Sequence, residues 1–174
     1  ESARYDPELD AWFVSNINGD PFAEDDNGFI SRLKGDGSVD SLEFIAGGKN
    51  GATLNAPKGM AITGDTLWVA DVDVVRAFDR RTGAPLANVS LKGKAKFLND
   101  VAAGPDGIYI TDSGFGKDDK GGMVHTGPDQ IFRVVGGKAT LALKSDALAA
   151  PNGIAWDSAG GRFIVGPFGG KALQ

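Results

Sequence analysis

The chain has 174 residues, 18 Lys+Arg against 23 Asp+Glu, a net charge of −5 and 41% hydrophobic residues, enough for one globular domain with its own core. A net negative chain without a Lys/Arg cluster lacks the electrostatic footprint of a nucleic-acid binder. Its longest apolar runs are four or five residues, too short for a membrane-spanning helix or a signal-peptide core. Zero Cys excludes disulfides, thiolate metal sites and cysteine nucleophiles.

Along the chain no segment carries the i, i+3, i+4 spacing that a helix of about 10 residues needs. Short aromatic and β-branched runs recur instead, bounded by Gly, Asp, Asn and Pro. They include Trp12-Phe13-Val14, Leu67-Trp68-Val69-Ala70, Ile108-Tyr109-Ile110-Thr111 and Arg162-Phe163-Ile164-Val165. Such runs suit a pleated, half-buried surface, so the sequence reads as all-β. Within the second unit, further strands are expected at Val74–Asp79 and Ala84–Leu91 around the Arg80-Arg81-Thr82-Gly83 turn. In the third unit they are expected at Gln130–Val135 and Ala139–Lys144 around Gly136-Gly137.

The units repeat. Pro57–Asp71 aligns without a gap on Leu98–Asp112, Pro151–Gly166 fits with one extra residue, and Glu1–Asn16 fits with two. Starts near residues 1, 58, 99 and 152 give periods of 57, 41 and 53 residues. Four antiparallel strands in a repeat of about 40–50 residues is the signature of a β-propeller blade. The expected blades are 1–56, 57–97, 98–150 and a partial 151–174, in which Lys171-Ala172-Leu173-Gln174 falls where a third strand should begin. Propellers close with about 4–8 blades. Three and a half blades leave open sheet edges, so a longer protein or self-association through those edges is expected. The sequence opens at Glu1 without an initiator Met, which points to a removed leader or a missing part. A secreted or periplasmic origin fits this without being established by it.

The innermost strand of each blade lines the central channel, and the residue entering it rings the channel mouth. The repeat register places Glu1, Lys58, Asn99 and Asn152 at that position. Oxygen donors such as Glu and Asn suit a hard cation like Ca²⁺. Asn99-Asp100 and Asn152-Gly153 are equally good turn dipeptides, and both readings stand at this point. Lys58 reads either as a surface lysine or as an ammonium facing a developing oxyanion. Two long loops, Ile17 to Asn27 and Ser113 to Asp129, should rise on the same face as a lid or pocket wall. Their charges, Asp20, Glu24, Asp25, Asp26, Lys117, Asp118, Asp119 and Lys120, read as a solvated loop surface.

Several familiar sites fail on inspection. Glu24–Gly28 is no EF-hand, because aligning Gly28 with loop position six puts Ala23 and Lys34 where acidic ligands belong. His125 is the only histidine, too few for a His-rich zinc site and without a Gly-x-Ser-x-Gly partner. It reads as an exposed loop residue. No phosphate-binding Gly-x-x-x-x-Gly-Lys-Ser/Thr loop is present. Trp12, Trp68 and Trp156 are expected to pack between blades.

Three segments carry a family likeness: Glu1-Ser2-Ala3-Arg4-Tyr5-Asp6, Leu98-Asn99-Asp100-Val101 with Gly104-Pro105-Asp106-Gly107, and Pro151-Asn152-Gly153-Ile154-Ala155-Trp156-Asp157. The pattern resembles the six-bladed propellers of the regucalcin (senescence marker protein 30), gluconolactonase and luciferin-regenerating enzyme superfamily. The resemblance implies a divalent cation, commonly Ca²⁺, at the channel mouth, with Glu1 and Asn152 as ligands. It makes Asn99 a contact to substrate or metal-bound water, and the remaining Asp ligand would belong to a blade beyond Gln174. Where lactonases of the family often carry Arg, two residues before Asn99, this chain has Phe97. The expected function is a metal-dependent lactone or ester hydrolase propeller, with Asp100 as a catalytic carboxylate contacting water and Asn99 and Lys58 as substrate contacts. The alternative is a non-enzymatic propeller that binds a protein or small molecule on that face.

Overall fold

The computed structural model describes residues 1–168 as five antiparallel sheets, three of four strands and two of two. The first contains β1 (Ser2–Asp6), β2 (Ala11–Asn16), β3 (Phe29–Lys34) and β4 (Val39–Ala46). The second contains β5 (Pro57–Thr63), β6 (Thr66–Asp71), β7 (Val74–Asp79) and β8 (Pro85–Ser90). In the third, β9 (Leu98–Gly104) and β10 (Gly107–Asp112) precede a small hairpin, β11 (Phe115–Lys117) with β12 (Met123–His125). The sheet is then completed by β13 (Gln130–Val135) and β14 (Lys138–Lys144). β15 (Pro151–Asp157) and β16 (Arg162–Pro167) form the last pair, after a single 3₁₀ turn at Asp146–Leu148. The expected third strand of the fourth unit, around Lys171–Gln174, lies outside the described residues.

The strands β1, β5, β9 and β15 are sequential neighbours, the inner strands of successive blades. The outer strands β8 and β14 are almost wholly exposed, and Lys138 and Lys144 guard the β14 edge against further pairing. The turn of the second sheet is one residue longer than the sequence suggests. Asp79 N–H bonds the Ala84 carbonyl at 2.8 Å, so β8 starts at Pro85. Strand β14 begins one residue earlier than expected, because Gly136 and Gly137 both take positive φ and hand over at Lys138.

The core sits between sheets rather than at one centre. Phe13, Ile30 and Ile45 of the first sheet close on Met60, Leu67, Val69 and Phe78 of the second. Val75, Val89 and Leu91 pack with Leu98, Val101, Ile110 and Phe132 between the second and third. Ala102, Ile131 and Leu148 meet Ile154 and Val165 between the third and the last pair. Each large side chain so buried contributes about 1.5–3 kcal/mol. The tryptophans contribute less than expected. Trp12 is 37% exposed and leans on Tyr5, with ring centroids 4.9 Å apart. On β2 the inward positions are Ala11, Phe13 and Ser15, and alternation turns Trp12 out. Trp68 packs half-buried against the middle core, and Trp156 stacks on Phe163.

A buried carboxylate at the end of β6 and of β10 fixes the segment entering the inner strand of its sheet. Asp71 accepts from the N–H groups of Asn55 (3.0 Å) and Ala56 (2.7 Å), and pairs with Arg76. One repeat later Asp112 accepts from Lys96 (3.2 Å) and Phe97 (2.9 Å), and also from Gly114 N–H and Gln130 Nε2. Both carboxylates are 0% exposed. Removing one leaves several buried donors without a partner. Asp112→Ala is expected to cost about 3 kcal/mol in chemical denaturation, and Asp119→Ala, on an exposed loop, less than about 0.5 kcal/mol.

Candidate functional site

Each entry segment ends in the same irregularity. Strand β5 pairs Pro57 with Asp71 and Met60 with Val69, so Lys58 and Gly59 together face one residue of β6. Strand β9 repeats this, with Asn99 and Asp100 bulged between the Leu98–Asp112 and Val101–Ile110 pairs. In the last sheet Asn152 bulges between Pro151 and Gly153. A bulge re-aims a side chain out of the ladder, and here it does so at the register position singled out by the repeat. Strand β1 has no bulge. Glu1 stands just outside it, with its terminal ammonium on the Ser15 carbonyl at 3.0 Å.

Hydroxyls fasten these bulges to the preceding blade. Ser15 Oγ donates to the Lys58 carbonyl at 2.7 Å, and Thr111 Oγ1 to the Asn152 carbonyl at 2.7 Å. Ser113 Oγ donates to the Pro151 carbonyl at 2.6 Å and accepts from Asn99 Nδ2 at 3.1 Å. The Asn99 carboxamide therefore spends its NH₂ on Ser113. Its oxygen, and the whole carboxamide of half-buried Asn152, make no hydrogen bond among the described residues. Glu1 is exposed, and its carboxylate acts electrostatically on both Lys58 and Asp100.

Lys58 is not the surface lysine that was one of its two expected readings. It is 1% exposed. Its Nζ donates to the carbonyls of Ala56 (3.0 Å) and Pro21 (3.2 Å) and lies 4.4 Å from the Phe97 ring centroid. The first long loop makes this burial. Phe22 stacks on Phe97 at 4.7 Å, and Asp20 pairs with Lys117 of the second long loop. The two loops thus form one cover over the channel mouth. Their charges are in part structural: Asp26 accepts from Leu54 N–H at 2.7 Å, and Glu24 pairs with Lys92 at 3.1 Å.

Desolvation pushes the Lys58 ammonium down from 10.5 to about 8, against the opposing pull of Asp71 and Glu1. In the unfolded chain it titrates at its ordinary value, so the burial cost is fully present below about pH 8. It is relieved as pH rises toward 10.5, where the unfolded state holds more protons. Relative to Lys58→Met, wild-type stability should therefore rise by about 2–3 kcal/mol between about pH 7 and pH 10.5 in denaturant titrations.

Asp100 is occupied by backbone. Its Oδ1 accepts from its neighbour Val101 N–H at 2.8 Å, and its Oδ2 from Ile154 N–H of the next blade at 2.9 Å. Burial raises its pKa above the usual carboxylate range, and those two N–H bonds act against the rise. The carboxylate lies flat on Gly59, where a Cβ would stand 2.0 Å from Oδ1 and 2.4 Å from the Asp100 Cα. Glycine is required there by close approach rather than by φ. Gly59→Ala is expected to lower stability by about 2–4 kcal/mol, read as a fall in Tm.

His125 is exposed, as expected, but it belongs to a strand rather than to irregular loop. It lies in β12, with Nε2 2.6 Å from Asp129 Oδ1, and Asp129 is 3% exposed. The pair was visible only as two polar residues four apart across Gly127-Pro128. Nothing in the repeat register singled it out, because the hairpin that carries it has no counterpart in the other blades.

Against known families, residues 30–166 match the model described as "SMP-30/Gluconolactonase/LRE-like region". No curated protein matches the chain.

Proposed function

The chain belongs to the SMP-30/gluconolactonase/LRE-like propeller family, and on that premise we propose that it is the channel-mouth part of a metal-dependent lactone or ester hydrolase. The observation that carries the reading is the bulge repeated at Lys58-Gly59, Asn99-Asp100 and Asn152. In the repeat register these bulges match the position that Glu1 holds in the first blade.

The donor set fits a hard cation. Glu1 brings a carboxylate, while Asn99 and Asn152 bring carboxamide oxygens without a competing hydrogen bond among the described residues. Calcium takes six to eight oxygens, some of them from water. Glu1 and Asn152 would hold it, with Asn99 on its water or on the substrate. A bound cation there supplies Lewis acidity to a carbonyl oxygen and acidifies water.

The chain's own residues do the rest. Asp100, next to Asn99 in the chain and with its pKa raised by burial, is the proton acceptor of this reading, since a raised carboxylate is a better base than an ordinary one. Lys58 contributes as a charge from beneath Phe22, and a direct substrate contact requires that segment to lift. Phe97, where related lactonases carry a cation, presents a ring with the Lys58 ammonium 4.4 Å from its centre. A polarised carbonyl would meet positive potential on that side.

A calorimetric Ca²⁺ titration with Asn152→Ala as control tests the reading. Saturable binding weakened at least tenfold in the variant, together with chelator-sensitive turnover of γ- or δ-lactones, is the expected result. Saturable binding without turnover of any lactone or ester would favour the binding-scaffold function. No binding would remove the metal-dependent reading for this chain.

A further inference from the structure

A second concave site lies beside the channel mouth and uses none of Glu1, Asn99 or Asn152. It is a cavity of about 410 Å³ walled by Phe115, Phe168 and two alanines, with His125, Asp129 and Asp146 as its polar groups. That volume lies in the range of small-molecule pockets. We propose that this pocket binds an organic ammonium carrying an aromatic or alicyclic body.

The polar groups select the charge. In the neutral imidazole, His125 Nε2–H donates to Asp129 Oδ1 at 2.6 Å, which leaves Nδ1 as an acceptor. Nδ1 makes no hydrogen bond among the described residues. Asp129 is held in turn by Ala150 N–H on Oδ2 at 2.9 Å, so this pair is fixed rather than swinging. Asp146 adds a second carboxylate at the exposed rim. The lining thus offers two negative charges and an acceptor nitrogen, and no lysine or arginine lines it. An ammonium N–H donates to Nδ1 and Asp146, whereas a carboxylate ligand would meet repulsion from both acids.

The walls select the body. Phe115 and Phe168 meet edge to face at 5.3 Å, and Phe115 meets the His125 ring edge to face at 5.5 Å. The faces such rings leave open attract cations and apolar surface alike. Phe168 is 59% exposed, an unusual position for a phenylalanine unless something covers it. Ala149 and Ala150 line the pocket in consecutive left-handed conformations, φ 52° and 56°. Two strained non-glycine residues in a row persist only where the surroundings over-determine them, as they do at ligand sites.

The test uses the single histidine as reporter, because its imidazole resonances need no assignment. At about pH 8, 2-phenylethylamine is expected to shift them saturably, with affinity at least about tenfold above that of phenylacetate and of neutral 2-phenylethanol. Asp146→Asn should weaken the amine about three- to tenfold, a fall matching one surface charge pair. Phe168→Ala, which removes an exposed ring and so spares folding, should weaken it by a similar factor. Equal binding of phenylacetate or phenylethanol, a shift that does not saturate, or unchanged affinity in both variants would overturn the proposal. Asn152→Ala should leave amine binding intact, so failure of this site and failure of the metal site read out separately.

Discussion

The buried carboxylates Asp71 and Asp112 are the constraint on which the rest of the structure depends. Each gathers the backbone N–H groups of the segment that enters an inner strand, and holds it at the mouth of the channel. A charge in that position would be costly alone, but several donors converge on it. With the entry segment pinned at one end and the ladder resuming at Met60 or Val101, one surplus residue is left in between. That residue has to bulge. Lys58 and Asn99 are aimed by an accommodation of chain length that these two carboxylates enforce.

The same region shows why inner strands of neighbouring blades can approach so closely. Asp100 bridges to the Ile154 N–H across one junction and lies on Gly59 across the other. At the opposite edge of the sheets, Arg80 of the second blade reaches Asp6 of the first, both of them buried. Such a pair adds little net stability but is strongly destabilising to break. The blades are thus tied by polar contacts at both ends and by apolar contacts between them.

Much of this was legible in the sequence, because strands and blade register are written in local pattern. Pro57–Asp71 aligns with Leu98–Asp112 since both must bury alternate residues and turn at the same places. What could not be read depends on contacts distant in the chain. Lys58 looks like any lysine until Pro21 and Phe22 fold over it from 37 residues away. The bulges need strand pairing to be known, since a one-residue surplus has no local signature. His125 and Asp129 belong to a long insertion between β10 and β13 that interrupts the repeat, and a reading built on the repeat passes over what interrupts it.

The division of labour within a blade has an evolutionary consequence. Carboxylate, bulge and interblade hydroxyl keep the backbone, and the residue at the ring position varies in how far it packs: Lys58 and Asn99 are buried, Asn152 is half-buried and Glu1 is exposed. Where that residue stands clear of the core, as at Glu1 and Asn152, the blade offers one letter that can be rewritten without rewriting the word around it. A lysine, two asparagines and a glutamate occupy the four ring positions of this chain. A ring assembled in this way can change what it recognises by single substitutions, and a duplicated blade would bring its own blank position with it.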